Sequence, residues 1–258
     1  MPAPGILYCI PTPLGGPGGA TEILPAATLR IVRTLDYFIA ENARTARAFL
    51  KQLPLERALQ AIEIRELNEH SVAADLPALI EPLLQGRNAG LVSEAGCPAV
   101  ADPGSDLVAL AHRSGVRVVP MVGPSSMLLA LMASGLYGQQ FAFVGYLPVE
   151  RNERDQRLRE LERRSAQFAE TILMIETPYR VVALFDAALR ALQPQTMLSV
   201  ACNLTLAAES VQTRSIAEWR NAPGPADKVP AVFALQAHGA APGRDRHTAR
   251  GPRPRPAR

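Results

Sequence analysis

The chain is poor in the residues that would mark several broad functional classes. It has three cysteines in 258 residues, Cys9, Cys97 and Cys202, far apart and with no CxxC spacing. That usage suits a reduced cytoplasm and argues against a zinc knuckle or a disulfide framework. The four histidines, His70, His112, His238 and His247, are scattered, so no His–Cys metal cluster is expected. No apolar run approaches the ~20 residues that a membrane-crossing helix requires. The opening "MPAPGILYCIPTPLGG" has no basic segment followed by a long apolar one, so a secretory signal is not expected. GxxxxGK[ST], GxGxxG and GxSxG are all missing, which excludes a Walker loop, a dinucleotide fingerprint and a serine-hydrolase elbow.

What is present is a sizeable apolar fraction, 48%, and an uneven charge. Residues 239–258 hold six Arg and one Asp, a net +5. The other 238 residues hold 27 − 6 = 21 basic and 24 − 1 = 23 acidic groups, a net −2. The basic tail has four prolines and no aliphatic stripe, so disorder is expected there. It is either a solubilising extension or an arm that adds phosphate contacts to a nucleic acid.

Apolar runs and helical patterns alternate along the chain. Strands are expected at Ile6–Pro11, Tyr37–Glu41, Ile64–Asn68, Gly90–Ser93, Val116–Met121, Phe141–Leu147, Thr171–Glu176, Leu198–Leu204 and Ala231–Gln236. Helical patterns fill most of the gaps, which reads as α/β. Two mixed sheets, of about five and four strands and each covered by helices, fit this length better than one. The join is expected in "PMVGPSS", giving domains at 1–122 and 123–238 and a tail at 239–258.

Three bends at strand ends carry unusual residues, and open α/β sheets bind ligands beyond the carboxyl ends of their strands. The first is "IPTPLGGPGGATE". The second, "SEAGCPAVADPG", uses roughly ten residues where a plain connector takes about 2–6. Its prolines fix the backbone, its glycines allow close approach of a ligand, and Glu94 would face a cleft. Read structurally, the same stretch is a helix-entry turn capped by Asp102 or Ser105. The third, "VGPSSMLLALMASGL", places Ser125 or Ser126 at the start of an apolar helix whose free N–H groups could receive a carboxylate.

These bends belong to an ordered series of seven motifs: "IPTPLGG", "AENAR", "NEHS", "SEAGCPAVADPG", "VGPSS", "FAFVGYLP" and "ETPYR". In that order they resemble the tetrapyrrole methylase superfamily, and within it the bacterial 16S rRNA cytidine-2′-O-methyltransferases. The resemblance covers about residues 6–236. It implies two α/β/α domains with an S-adenosylmethionine cleft between them, a homodimer, and rRNA or the small ribosomal subunit as substrate. It also implies that Pro11, Glu94, Ala95, Gly96, Ser125, Ser126, Ile175 and Glu176 line the cofactor pocket. Glu41, Glu69 and His70 become candidates for taking the proton of a ribose hydroxyl, and Arg44 and Arg180 for holding phosphate. Both arginines could equally pair with Glu41 or Glu176. Tyr179 could stack on a base or simply pack at a helix start.

The chain departs from the family pattern where R-E-L-T-K becomes "CNLTL", at Cys202, Asn203 and Leu206, and where Asn42 replaces an aspartate. The alternative readings are therefore a methyltransferase of the same fold acting on a tetrapyrrole-like or other small molecule, which the net-acidic body favours, or a cofactor-binding module without turnover.

Overall fold

The computed structural model describes residues 3–15, 19–68 and 70–239. Glu69 and the basic tail beyond Gly239 lie outside the described residues. The chain divides into two compact units between Leu129 and Ala130, whereas the sequence reading drew the boundary after residue 122.

The first unit contains β1 (Ile6–Ile10), α1 (Ala20–Ile23), α2 (Ala26–Thr34), β2 (Tyr37–Ala40), α3 (Ala43–Leu50), β3 (Glu63–Glu66), α4 (Leu76–Leu84), β4 (Ala89–Val92), α5 (Ser105–Arg113) and β5 (Arg117–Pro120). Its five strands run β3-β2-β4-β1-β5. Every pairing is parallel. The mixed sheet expected here is corrected on that point: each strand is separated from the next by a helix, and such crossovers return the chain in the same direction. β2 and β4 are buried at every position, as strands covered on both faces must be.

Successive strand residues point to opposite faces. Leu7, Tyr37, Ile39 and Leu91 pack with Leu79, Leu83 and Leu107 from α4 and α5. Ile10, Phe38, Ala40 and Val92 pack with Val32 of α2 and with Phe49 and Leu50 of α3. Gly90 in the middle of β4 is forced by this packing, because a Cβ there would lie 2.7 Å from the Phe38 ring.

Helix α6 (Ser126–Ser134) carries the division between the units. The second unit follows with β6 (Phe141–Phe143), α7 (Arg151–Phe168), β7 (Thr171–Glu176), α8 (Val181–Ala191), β8 (Met197–Cys202), β9 (Ser210–Ser215), α9 (Ile216–Trp219) and β10 (Ala231–Gln236). Its sheet has five strands in the order β6-β7-β10-β8-β9, one more than expected. Only β6 and β7 pair in parallel; the other pairings are antiparallel. The unanticipated strand is β9, "SVQTRS", an edge strand with Val211 as its one aliphatic residue, so it shows no apolar alternation. Its partner β8 fixes it through a six-residue register, Met197 to Cys202 against Ser215 to Ser210. One face of this sheet buries Ile172, Met174, Val200 and Phe233 against Leu158, Leu161 and Leu184 of the helices. Phe185 meets Trp219 edge-on at 5.3 Å, and the indole N–H donates to the Leu198 carbonyl.

Candidate functional site

The carboxyl ends of β1, β2, β3 and β4 open at one end of the first sheet. Chain segments far apart in sequence meet there because the strands do not lie in sequence order. The loop after β1 and the long loop after β4 are tied together as a two-residue antiparallel bridge. Thr12 N–H donates to the Gly96 carbonyl at 2.9 Å, and Gly96 N–H to the Thr12 carbonyl at 3.1 Å. The buried Ser93 hydroxyl donates to the Gly96 carbonyl, and that of Thr12 to the Ser93 carbonyl.

This loop takes an unusual path. Gly96 and Gly104 have positive φ, and so do Ala99 (63°) and Ala101 (65°). A left-handed alanine costs roughly 1–2 kcal/mol, and such conformations persist where the surrounding structure fixes them. The segment after β5 joins from the other side. A Cβ on Gly123 would stand 2.5 Å from the Pro11 Cβ, so Pro11 and Gly123 pack main chain against ring. The Cys97 thiol donates to the Pro124 carbonyl at 3.4 Å. Burial, and next the Asp102 charge, push that thiol's pKa up, so it stays protonated.

Five residues from three strand ends line one open cavity of about 230 Å³: Glu41 and Asn42 after β2, Asn68 and His70 after β3, and Glu94 after β4. Asn42 caps α3, its side chain accepting from Arg44 N–H and Thr45 N–H. The Thr45 hydroxyl donates to Glu94 Oε1 at 3.2 Å, fixing α3's first turn to the cavity wall. Asn68 accepts from His70 N–H and thereby shapes the turn that carries His70. Asp102 lies within the electrostatic reach of Glu41 and Glu94, its carboxyl pushed up to about 6 by burial first and by the Glu41 charge second, against a Ser93 hydrogen bond that pulls it down.

The expectation that Asp102 or Ser105 caps α5 does not hold. The cap position is Gly104, at φ 133°, with no side-chain cap bond. Asp102 instead joins Glu41 and Glu94 in an acidic group.

Of the residues singled out in the sequence, the structure thus gathers Glu41, His70 and Glu94 at one cavity, with Pro11 and Gly96 in the adjoining loops. Glu94 and Ala95 are exposed. Ser125 and Ser126 open α6: the Ser125 carbonyl accepts Leu129 N–H, and the Ser126 hydroxyl points to Met127 Sδ at 3.2 Å. Arg44 is exposed on α3. Glu69 lies outside the described residues.

Ile175, Glu176 and Arg180 belong to the second unit. Glu176, at the end of β7, is 5% exposed. Its Oε1 accepts from Arg180 Nε (2.8 Å) and Nη2 (2.7 Å) and from Thr177 N–H (2.7 Å). The pairing of Arg180 with Glu176 is therefore what the structure has. Its Oε2 is buried and has no hydrogen-bond partner among the described residues. Tyr179 is 80% exposed and does not pack.

Asn42, Thr45, Asn68 and Asp102 were not among the residues picked out for this site. For Asn42 and Asn68 the signal was present, since each is a polar residue two positions past the end of a strand and next to an acid. Thr45 and Asp102 carry none, because their partners stand 49 and, for Glu41, some sixty positions away.

Comparison with known proteins gives this geometry a family. The family model for Tetrapyrrole (Corrin/Porphyrin) Methylases matches residues 7–219, which include every residue of the cavity. The chain is 32% identical over 213 residues to a ribosomal RNA small subunit methyltransferase I of Vibrio cholerae, covering 83% of this chain and 69% of that protein. It is 35% identical to the Mesorhizobium japonicum protein of the same name (81% and 67% covered), and 36% identical to that of Xylella fastidiosa (70% and 62%). The match thus spans about 62 to 69% of these three relatives' own length. Among solved structures, uroporphyrin-III-C-methyltransferase from Thermus thermophilus shares the fold with a TM-score of 0.51 at 18% identity, over 92% of this chain and 95% of that one. With its motifs, its five-stranded parallel sheet and the match over residues 7–219, the chain belongs to the tetrapyrrole (corrin/porphyrin) methylase family.

Proposed function

We propose that this chain is an S-adenosylmethionine-dependent methyltransferase acting on a ribose 2′-hydroxyl of small-subunit ribosomal RNA, a cytidine of the 16S molecule. The observation that carries the substrate is the set of relatives named ribosomal RNA small subunit methyltransferase I, matched at 32% to 36% identity. It works in the cytoplasm, where ribosomal subunits are modified, and as a homodimer. Among the described residues no helix is long and apolar enough to cross a membrane.

The residues present fit the cofactor. A sulfonium favours nearby negative charge, and Glu41 after β2 with Glu94 and Asp102 after β4 supply it at one end of the first sheet. Gly96 and Gly123 let the loops that carry Pro11, Ala95, Ser125 and Ser126 pack closely, Gly123 against Pro11 and Gly96 against Leu14, which holds those loops in place beside the cavity. When bound, the cofactor supplies an electrophilic methyl for one in-line displacement.

The protein's task is then alignment and proton management. The Thr12–Gly96 bridge holds the two loops in fixed register. Asn42 and Thr45 fix Glu94 against α3. Glu41 and His70, which line the same cavity, are the candidates to accept the hydroxyl proton, together with Glu69. Asp102, its carboxyl pushed up to about 6 by burial and by the Glu41 charge, adds a third acid to Glu41 and Glu94. Arg44 and Arg180 are candidates for holding phosphate, although Arg180 is already engaged by Glu176.

Isothermal calorimetry tests the cofactor, and absence of binding at millimolar S-adenosylmethionine refutes the reading. Transfer of labelled methyl to 30S particles lacking the modification tests the substrate, with mass mapping of the rRNA locating the acceptor. Particles that take up no label rule out the RNA assignment while leaving the family intact.

A further inference from the structure

We infer that the exposed face of α3 is the track along which the RNA strand enters the cavity; this rests on the RNA reading above and names the surface that reading requires. Helix α3 and its C-cap present Arg44, Arg47 and Lys51, all exposed, at positions i, i+3 and i+7. At 3.6 residues per turn these three fall within about 60° of one another and span about 10 Å along the axis. The helix itself contains no acidic residue.

None of the three makes an ion pair or side-chain hydrogen bond among the described residues. That contrasts with the arginines around the starts of β2, β3 and β4. There Arg57, Arg65 and Arg87 are each bound to Asp36 or Glu63. Outside its last twenty residues the chain is net acidic, by 23 to 21. Other exposed cations, such as Arg30 and Arg117, also make no ion pair among the described residues; this row of three is set apart by lying on one face of a helix that starts at the cavity.

Its position gives it direction. The row starts two residues after Asn42, which lines the cavity, and Thr45 of the same turn is hydrogen-bonded to Glu94 on the cavity wall. The carboxylates at the cavity, Glu41 and Glu94, repel phosphate, while the row beside them attracts it. A strand held by its phosphates on α3 is thereby aligned with a sugar, rather than a phosphate, over the acids. Three cations over about 10 Å match the spacing of a stacked strand, whose charges recur every ~3.4 Å. Phosphate contacts of this kind position a strand without reading its sequence.

The test is the Arg47→Gln/Lys51→Gln variant of the full chain, bound to deproteinised 16S rRNA and to 30S particles over a salt series. Each lost contact to a single strand lowers the slope of log K against log salt by about 0.7, so the variant is expected to lose about 1.4. The RNA KM rises several-fold, kcat is nearly kept, and S-adenosylmethionine affinity by calorimetry is unchanged. The charge-conserving Arg47→Lys/Lys51→Arg variant keeps the wild-type slope. An unchanged slope in the glutamine variant, with wild-type protein binding RNA, overturns the track alone. Loss of slope in the charge-conserving variant also overturns it, since charge is then not the cause. A loss confined to 30S particles and not seen on naked RNA assigns the row to a ribosomal protein and overturns the track while leaving the methylation substrate untouched. Wild-type protein that binds neither substrate refutes both the track and the RNA reading.

Discussion

Replacing Asp102 by asparagine should make the protein more stable at neutral pH and less active. Asp102 sits behind the cavity with its carboxyl pushed up to about 6 from an ordinary 3.8, by burial first and the Glu41 charge second. The folded state therefore binds this proton more tightly than the unfolded chain does. Stability from this group is highest below 3.8, falls as pH rises towards about 6, and is flat above it. At pH 7.5 the ionised side chain imposes its full cost. The gap is roughly two pH units at 1.36 kcal/mol each, a ceiling of about 3 kcal/mol. Asp102 is only partly buried, so solvent screening reduces this to about 1–2 kcal/mol. Asparagine has nearly the same shape and carries no charge. Scanning calorimetry at pH 7.5 should then show a midpoint about 3–6 °C higher for the first unit, given 2–4 °C per kcal/mol in proteins of this size. The gain should shrink as pH is lowered through 6. Methyl transfer and S-adenosylmethionine affinity should both drop, because one of three negative charges is gone. An asparagine variant that is less stable than wild type at pH 7.5, or whose advantage is the same at pH 5, refutes the reasoning.

Arg180→Ala leaves the Glu176 carboxylate, 1% exposed at its side chain, with only Thr177 N–H for company. Breaking one side of a buried pair costs about 3–5 kcal/mol, so the second unit should unfold earlier in urea, which the fluorescence of the buried Trp219 reports; Glu176→Gln/Arg180→Ala should recover part of the loss. Gly123→Ala forces a methyl to within 2.5 Å of Pro11 and should cost about 1–3 kcal/mol with a sharp loss of cofactor binding by calorimetry. Thr45→Val removes the hydroxyl that holds Glu94 and should weaken cofactor affinity with little change in thermal midpoint, because the pair is at the surface.

Much of this fold was legible in the chain because apolar periodicity is a local property. β2 and β4 show as unbroken apolar runs since both faces are covered, and the glycine–proline bends after β1 and β4 mark where the backbone must turn. β9 was not legible: six residues with one aliphatic side chain become a strand only because β8 offers its edge. Glu94 could be nominated from its position at a strand end, and Glu41 from the motif resemblance. Asp102 could not be told from a helix cap, since a single acid before a helix looks the same whether it caps the N–H groups or faces two other acids.

By itself, then, the sequence determined most of the strands and helices, the α/β class, the order of the seven motifs and the close backbone approach at its glycines, all of which follow from side-chain type and spacing within about a dozen residues. The tertiary structure decided which strand ends are neighbours. Placing β4 between β2 and β1 brings Glu41, His70 and Glu94 to one cavity, joins Thr12 to Gly96 and raises Asp102. Proximity between residues so far apart in the chain arises only when the sheet closes its ladder, and the charges at the site acquire their meaning from that proximity.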